Sequence, residues 1–211
     1  MEVFERIIAG IRNGDAPAVA SLTQEALAEN IPPEDILNKG FLAGMDIIGK
    51  LFKANEIFIP EVLIAARAMK AGMSLLKPIL VGSHIKSAGK VVIGSVKGDL
   101  HDIGKNIVAM MLEGSGFEVI DLGNDVPKER FLEAADREAA DILALSALLT
   151  TTMTSMKDVI EAIDAAKMRG QVKVMVGGAP LTQAYADEIR ADGYAPDAAS
   201  AADLAKSLVG R

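Results

Sequence analysis

The stretch GDLHDIGKN (98–106) holds the residues of this chain whose types and spacing could do chemistry, and it reads three ways. A glycine-rich run ending in Gly-Lys could cradle phosphate. The adjacent His101 and Asp102 could ligate a hydrolytic metal. The third pattern is Asp99-x-His101-x-x-Gly104. The phosphate reading fails on spacing and charge. A P-loop needs four residues between its glycines and a hydroxyl after the lysine. Here five residues separate Gly98 from Gly104, Asn106 stands at the hydroxyl position, and Asp99 and Asp102 would repel phosphate. The GSG at 114–116 follows a helical pattern instead of a strand, so it is no dinucleotide fingerprint either.

The His-Asp string resembles that of the helical metal phosphohydrolases, which gather several further histidines round their metal. This chain has two histidines in all, His101 and His84, and His84 lies in a polar junction. With one local His and one Asp the ligand count is too low for such a site. The chain has no cysteine, which removes disulfides, Cys-type zinc, iron–sulfur clusters and thiol nucleophiles.

The elements that must position the loop fall into two patterns. Residues 1–80 read as helices throughout: EVFERIIAGIRNG stopping at Gly14, DAPAVASLTQEALAEN with Asp15 as N-cap and Pro17 in the first turn, PPEDILNKGFLAGMDIIGKLFKANE, and PEVLIAARAMKAGMSLLK from Pro60 to just before Pro78. Short connections predict a four-helix bundle. From residue 90 the period changes. KVVIGSV (90–96), FEVIDLG (117–123), DILALSAL (141–148) and VKVMVGG (172–178) are short β-branched runs, each followed by a helical segment (102–114, 127–138, 152–168, 181–190). A weak fifth strand, GYAP, leads to a last helix at 199–209. Strands alternating with helices predict a doubly wound, five-stranded parallel sheet that binds ligands outside the C-terminal strand ends. The expected domains are 1–88 and 89–211, joined by VGSHIKSAG (81–89).

Two further patterns sit at the expected strand ends: Ser146-x-Leu148 after the third strand and Gly177-Gly178 after the fourth. Asp-x-His-x-x-Gly, Ser-x-Leu and Gly-Gly in this order resemble the cobalamin (B12)-binding domains, which have a flavodoxin/Rossmann-like fold. The run GMDIIGKLFKANEIFIPEVLIAARAMKAGMSLLKP resembles the helical cap that precedes the B12 module in methionine synthase and in the corrinoid proteins of methanol-, methylamine- and methoxyarene-type methyltransferase systems. Together they cover nearly the whole chain.

The resemblance implies a cobalamin or related corrinoid cofactor with His101 as the lower axial cobalt ligand. Asp99 would accept the other ring N–H and Thr152 would hydrogen-bond Asp99. Gly98, Leu100, Asp102, Ile103 and Gly104 would complete the first cofactor loop. Ser146, Leu148, Thr150, Gly177 and Gly178 would line the nucleotide-tail slot, with Tyr194 and Ala198 near its far end. Phe52, Ile59 and Val62 would lie over the methyl-bearing face, and the 81–89 junction would be a hinge. Taken without the resemblance, Phe52 and Ile59 are one ordinary helical stripe and Gly177-Gly178 an ordinary strand-to-helix turn.

The implied function is a non-catalytic methyl carrier cycling between Co(I) and methyl-Co(III). It would accept methyl from a substrate-specific corrinoid methyltransferase and pass it to a second methyltransferase serving a folate or thiol cofactor, with a reductive activase as a further partner. Lack of cysteine suits a carrier, because zinc-thiolate activation of an acceptor must then lie on another chain. A cobalamin-binding sensor or a flavodoxin-like interaction module without methyl transfer is the competing expectation. A mutase would need a barrel that 211 residues leave no room for. A net charge of −7, a pI near 4.9 and no tryptophan argue against nucleic-acid or anionic-membrane partners. The acidic start MEVFERIIAG and the lack of any 18-residue apolar run lead to the expectation of a cytoplasmic protein.

Overall fold

The computed structural model describes residues 2–82 and 87–210. The chain divides into two compact units, Met1–Lys86 and Ser87–Arg211. His84, with the rest of residues 83–86 in the expected hinge, lies outside the described residues.

The first unit is helical: α1 (Glu2–Arg12), α2 (Ala16–Ala28), α3 (Pro33–Asp35), a π-helical stretch (Ile36–Leu42), α4 (Ala43–Lys53) and α5 (Ile59–Gly82). The start of α2 forms as its sequence dictates, with the Asp15 carboxylate accepting from Ala18 N–H at 3.0 Å and proline in the first turn. Apolar side chains at helical spacing meet in one core: Ile7 and Ile11 from α1, Val19 and Leu22 from α2, Met45 and Ile48 from α4, and Val62, Ala65, Met69 and Leu76 from α5.

Two details depart from the sequence reading. The third helical segment is not uniform, because a wider π turn buries Phe41 where a Cβ on Gly72 would stand 2.5 Å from its ring. And α5 continues through Pro78 instead of ending before it. The carbonyl that Pro78 leaves without a helical partner belongs to Ser74, and both residues are exposed, so water can satisfy it.

The second unit alternates strands and helices: β1 (Lys90–Ser95), α6 (Ile103–Gly114), β2 (Glu118–Asp121), α7 (Lys128–Glu138), β3 (Ile142–Ser146), α8 (Thr154–Ala165), β4 (Lys173–Gly177), α9 (Gln183–Glu188), β5 (Gly193–Ala195) and α10 (Ala198–Leu208). All strand pairs are parallel, in the order β2-β1-β3-β4-β5.

Alternation along the strands feeds two cores, one on each face of the sheet. Val91, Ile93, Ile142, Ala144 and Met175 pack with Leu112 of α6 and Ala201 and Ala205 of α10. Val92, Leu143, Leu145, Val174 and Val176 pack with α7, α8 and α9 through Phe131, Ile160 and Ile189. Helices on both faces bury both sides of the sheet, as a parallel sheet requires.

The chain order reverses between β1 and β3, so the loops leaving these two strands diverge to opposite faces and open a crevice at their C-terminal ends. The stretch 98–106 stands there.

Candidate functional site

Asp99 is the centre of the site. It is fully buried, in the loop between β1 and α6, and both its oxygens are used. Oδ2 accepts from Thr152 Oγ1 at 2.6 Å and from Leu148 N–H at 2.7 Å, both in the loop after β3. Oδ1 accepts from the His101 backbone N–H at 3.0 Å and lies 2.8 Å from His101 Nδ1. Burial by itself raises the pKa of this carboxyl. The donors from Thr152, Leu148 and His101 outweigh it and hold the group well below the usual carboxylate range.

An ionised carboxylate only accepts, so His101 donates through Nδ1–H, and a neutral ring in this tautomer keeps its lone pair on Nε2. The His101 side chain is half-exposed, and Nε2 has no protein partner among the described residues. A neutral imidazole with a fixed tautomer, its other nitrogen bonded to a buried anion, is a strong ligand for a borderline transition metal.

The surroundings suit a large flat ligand better than a bare ion. No group of three or more metal-binding side chains exists among the described residues. Instead, the two loops tied together by Asp99 expose Leu100, Ile103, Leu148 and Leu149, with Leu100 and Ile103 about 70% accessible. Gly104 opens α6, and a Cβ there would meet nothing within 4 Å.

A row of small residues crosses the ends of the strands: Ser95 pairs with Ser146, Ser146 with Gly177, and Gly177 with Ala195. By alternation this row faces the α6/α10 side, where Ala198 starts α10. These features fit a corrinoid, which would offer a broad, largely apolar ring face and a cobalt that one imidazole nitrogen could ligate.

The expected residues do not all gather there. Ser146 and Gly177 lie in the row, and Leu148 and Thr152 reach Asp99. Gly98 makes the turn after β1 at φ +86°, Asp102 precedes α6, and Thr150 is exposed beside the Leu148–Leu149 pair. Gly178 has an internal reason to be glycine, since a Cβ would stand 1.8 Å from Ala147 O. Tyr194 packs against the other face of the sheet and donates its hydroxyl to Leu181 O at 3.0 Å, so its ring is apart from the Ser146–Gly177 row.

In the helical unit, Ile59 is exposed and Phe52 half-buried. Val62 lies on the stripe with Ala65, Met69 and Leu76 and is fully buried. Phe58, more exposed than either neighbour at 63%, escaped the sequence reading. Ser95 escaped it too: it is fully buried, and its hydroxyl donates to the His101 carbonyl at 2.6 Å.

A sheet of this order, with an imidazole held at its switch point by a buried carboxylate, defines a flavodoxin-like domain. The family model described as B12 binding domain matches residues 89–203, and a second model of the same description matches residues 3–77. The chain belongs to the B12-binding domain family.

It is 46% identical over 209 residues to dimethylamine corrinoid protein 3 of Methanosarcina acetivorans, covering 96% of this chain and 98% of that one. Among solved structures, the methanol:cobalamin methyltransferase complex MtaBC from Methanosarcina barkeri aligns at a TM-score of 0.90 with 32% identity, covering 100% of this chain and 81% of the other. A cobalamin-binding protein from Desulfitobacterium hafniense DCB-2 aligns at 0.80 with 32% identity, covering 97% of each.

Proposed function

We propose that this chain is the corrinoid carrier of a multi-component methyltransferase system. The observation that carries the reading is the Nε2 of His101, backed through Nδ1 by the buried Asp99. When bound, a corrinoid supplies a cobalt centre that takes up and gives away a methyl group. The chain's own residues do the holding.

His101 Nε2 would ligate the cobalt. Asp99 fixes its tautomer and orientation, and Thr152 and Leu148 N–H keep Asp99 a charged acceptor. Leu100, Ile103, Leu148 and Leu149 would offer apolar surface to the ring face. Gly98 makes the turn that brings these residues up, Asp102 and Gly104 lead into α6, and Thr150 lies at the rim. Gly104, Ser146, Gly177 and Ala198 leave room for the nucleotide tail, while Gly178 and Tyr194 shape its surroundings from behind. Phe52, Ile59 and Phe58 are the apolar side chains that the helical unit would offer as a shield for the methyl group.

The named relatives are corrinoid proteins and a methyltransferase complex, which supports a partner of the same kind: a methyltransferase specific for a methylated substrate. A second methyltransferase, with a folate or thiol acceptor, and a reductive activase complete the cycle. No helix among the described residues is long and apolar enough to cross a membrane.

The test is to mix apo protein with hydroxocobalamin, remove the free cofactor by gel filtration and measure cobalt per chain. One cobalt per chain in the wild type, with much weaker retention by His101→Ala, is expected. No retained cobalt in the wild type would overturn the reading.

A further inference from the structure

The loop carrying His101 exposes Lys97, Gly98, Leu100 and His101, yet several of its backbone polar groups are fastened. Most of the fastening comes from outside the motif. Gly98 N–H donates to Asp125 Oδ1 at 2.7 Å, and Asp125 N–H donates to Asp99 O at 2.9 Å. Asn124 Nδ2 donates to Leu100 O at 3.0 Å. Ser95 Oγ takes the His101 carbonyl, as described above. Asn124 and Asp125 lie in the loop after β2, which continues alongside β1 through a Val96–Val126 bridge.

The holding loop is itself held. Asp121 Oδ1 accepts from Gly123 N–H at 2.8 Å, and Asp121 Oδ2 accepts at 2.6 Å from the buried Lys105 of α6. The chain of bonds therefore closes on itself: from the His101 loop into α6, through Lys105 and Asp121 to the loop after β2, and back through Asn124 and Asp125. Asp125 adopts φ +51° and faces Gly98 at φ +86°, two left-handed residues bonded to each other. Such conformations persist where surrounding bonds over-determine them.

We propose that Asp125, assisted by Asn124, is a positioning residue for axial ligation. It locks the Gly98–His101 backbone in place before any cofactor arrives, so that His101 meets the metal without an ordering cost. This rests on the ligand role given to His101 above. Asp125 does not touch His101; it acts through the Gly98 N–H and the Asp99 carbonyl. The Asp99–Thr152 contact orients the ring, whereas Asp125 fixes the backbone that carries the ring. A one-ångström error in a ligand's placement costs heavily in a preorganised site.

Two readouts test it, one without cofactor. In the apo protein, amide hydrogen exchange at Gly98 and the following residues is slow in the wild type. It accelerates at least about tenfold in Asp125→Ala and stays slow in Asp125→Asn, whose side-chain oxygen still accepts from Gly98. In the reduced cobalamin complex, the fraction of Co(II) coupled to a protein nitrogen falls in Asp125→Ala, with corrinoid affinity about 10-fold weaker, as loss of an outer partner of a ligand costs. Asp125→Asn restores both.

Asn124→Ala, which removes one side-chain donor from the surface, reproduces a smaller version should Asp125→Ala fold poorly. Unchanged exchange and full nitrogen coupling in Asp125→Ala overturn the proposal, as do equal losses in Asp125→Ala and Asp125→Asn. A wild type that binds no corrinoid overturns the carrier reading and this one with it. Normal wild-type coordination with no response to either variant overturns this one alone.

Discussion

The loops after β1 and β4 end on the same edge of the sheet and both carry motif glycines, but the glycines are there for opposite reasons. A Cβ on Gly178 would stand 1.8 Å from Ala147 O, and its φ of +142° is one that side-chain-bearing residues rarely adopt. A Cβ on Gly104 would touch nothing within 4 Å. One glycine is required by the protein's own backbone; the other leaves space that nothing in the protein uses. The same contrast runs through their neighbours. After β4 the backbone closes on the β3 loop. After β1 a buried carboxylate holds an imidazole whose second nitrogen has no internal partner. Motif residues therefore divide into those that build the floor of the site and those that face what will sit on it, and each class should fail differently.

The largest effect belongs to the floor. Gly178→Ala forces its methyl into a backbone carbonyl, so thermal unfolding should show a loss above about 4 kcal/mol, the size reserved for overlaps that cannot relax. A stable Gly178→Ala protein would erase the distinction.

Asp99→Ala comes next. It strips the acceptor from the buried Thr152 hydroxyl and the part-buried N–H groups of Leu148 and His101, and denaturant unfolding of the apo protein should show a cost of roughly 3 kcal/mol. Thr152→Val keeps the shape and removes one donor to a charged acceptor, for about 2 kcal/mol in the same measurement. Thr152→Ser should recover most of it.

Gly104→Ala is the smallest in stability and the sharpest for the comparison. Its φ is not in the left-handed region, so the change in the first turn of α6 should be neutral or stabilising by up to about 1 kcal/mol. Corrinoid affinity, followed by spectral titration, should nonetheless fall. Unchanged affinity would mean that the space beside Gly104 is not used by the cofactor.

Much of this was legible in the sequence, for identifiable reasons. The change from helical to alternating periodicity at residue 90 marks the two kinds of architecture, because each face of each element must be apolar where it packs. The Asp99–His101 pair was legible because the two residues are local in sequence. What was missed depends on long-range geometry. No local signal ties Asp125 to Gly98, which is 27 residues away, or tells Ser95 apart from any other small strand residue. The burial of Val62 was not legible because its sequence neighbours Leu63 and Ile64 are exposed, and a one-position rotation about the helix moves a side chain from surface to core. Tyr194 lies on the other face of the sheet from Ser146 and Gly177 because strand alternation, invisible without the register of a three-residue strand, decides its side. The extension of α5 through Pro78 depends on an exposed carbonyl that water can satisfy, and a rule about proline does not carry that information.

The central claim is that His101 Nε2 is presented as an axial ligand to a corrinoid cobalt. The most direct measurement is the electron paramagnetic resonance spectrum of the Co(II) cobalamin complex, prepared once with protein carrying 15N-labelled histidine and once with unlabelled protein. The account predicts superhyperfine coupling to a single nitrogen that changes from the three-line to the two-line pattern on labelling and is absent in His101→Ala. A spectrum unaltered by labelling, with coupling only to the cofactor's own base, would contradict it.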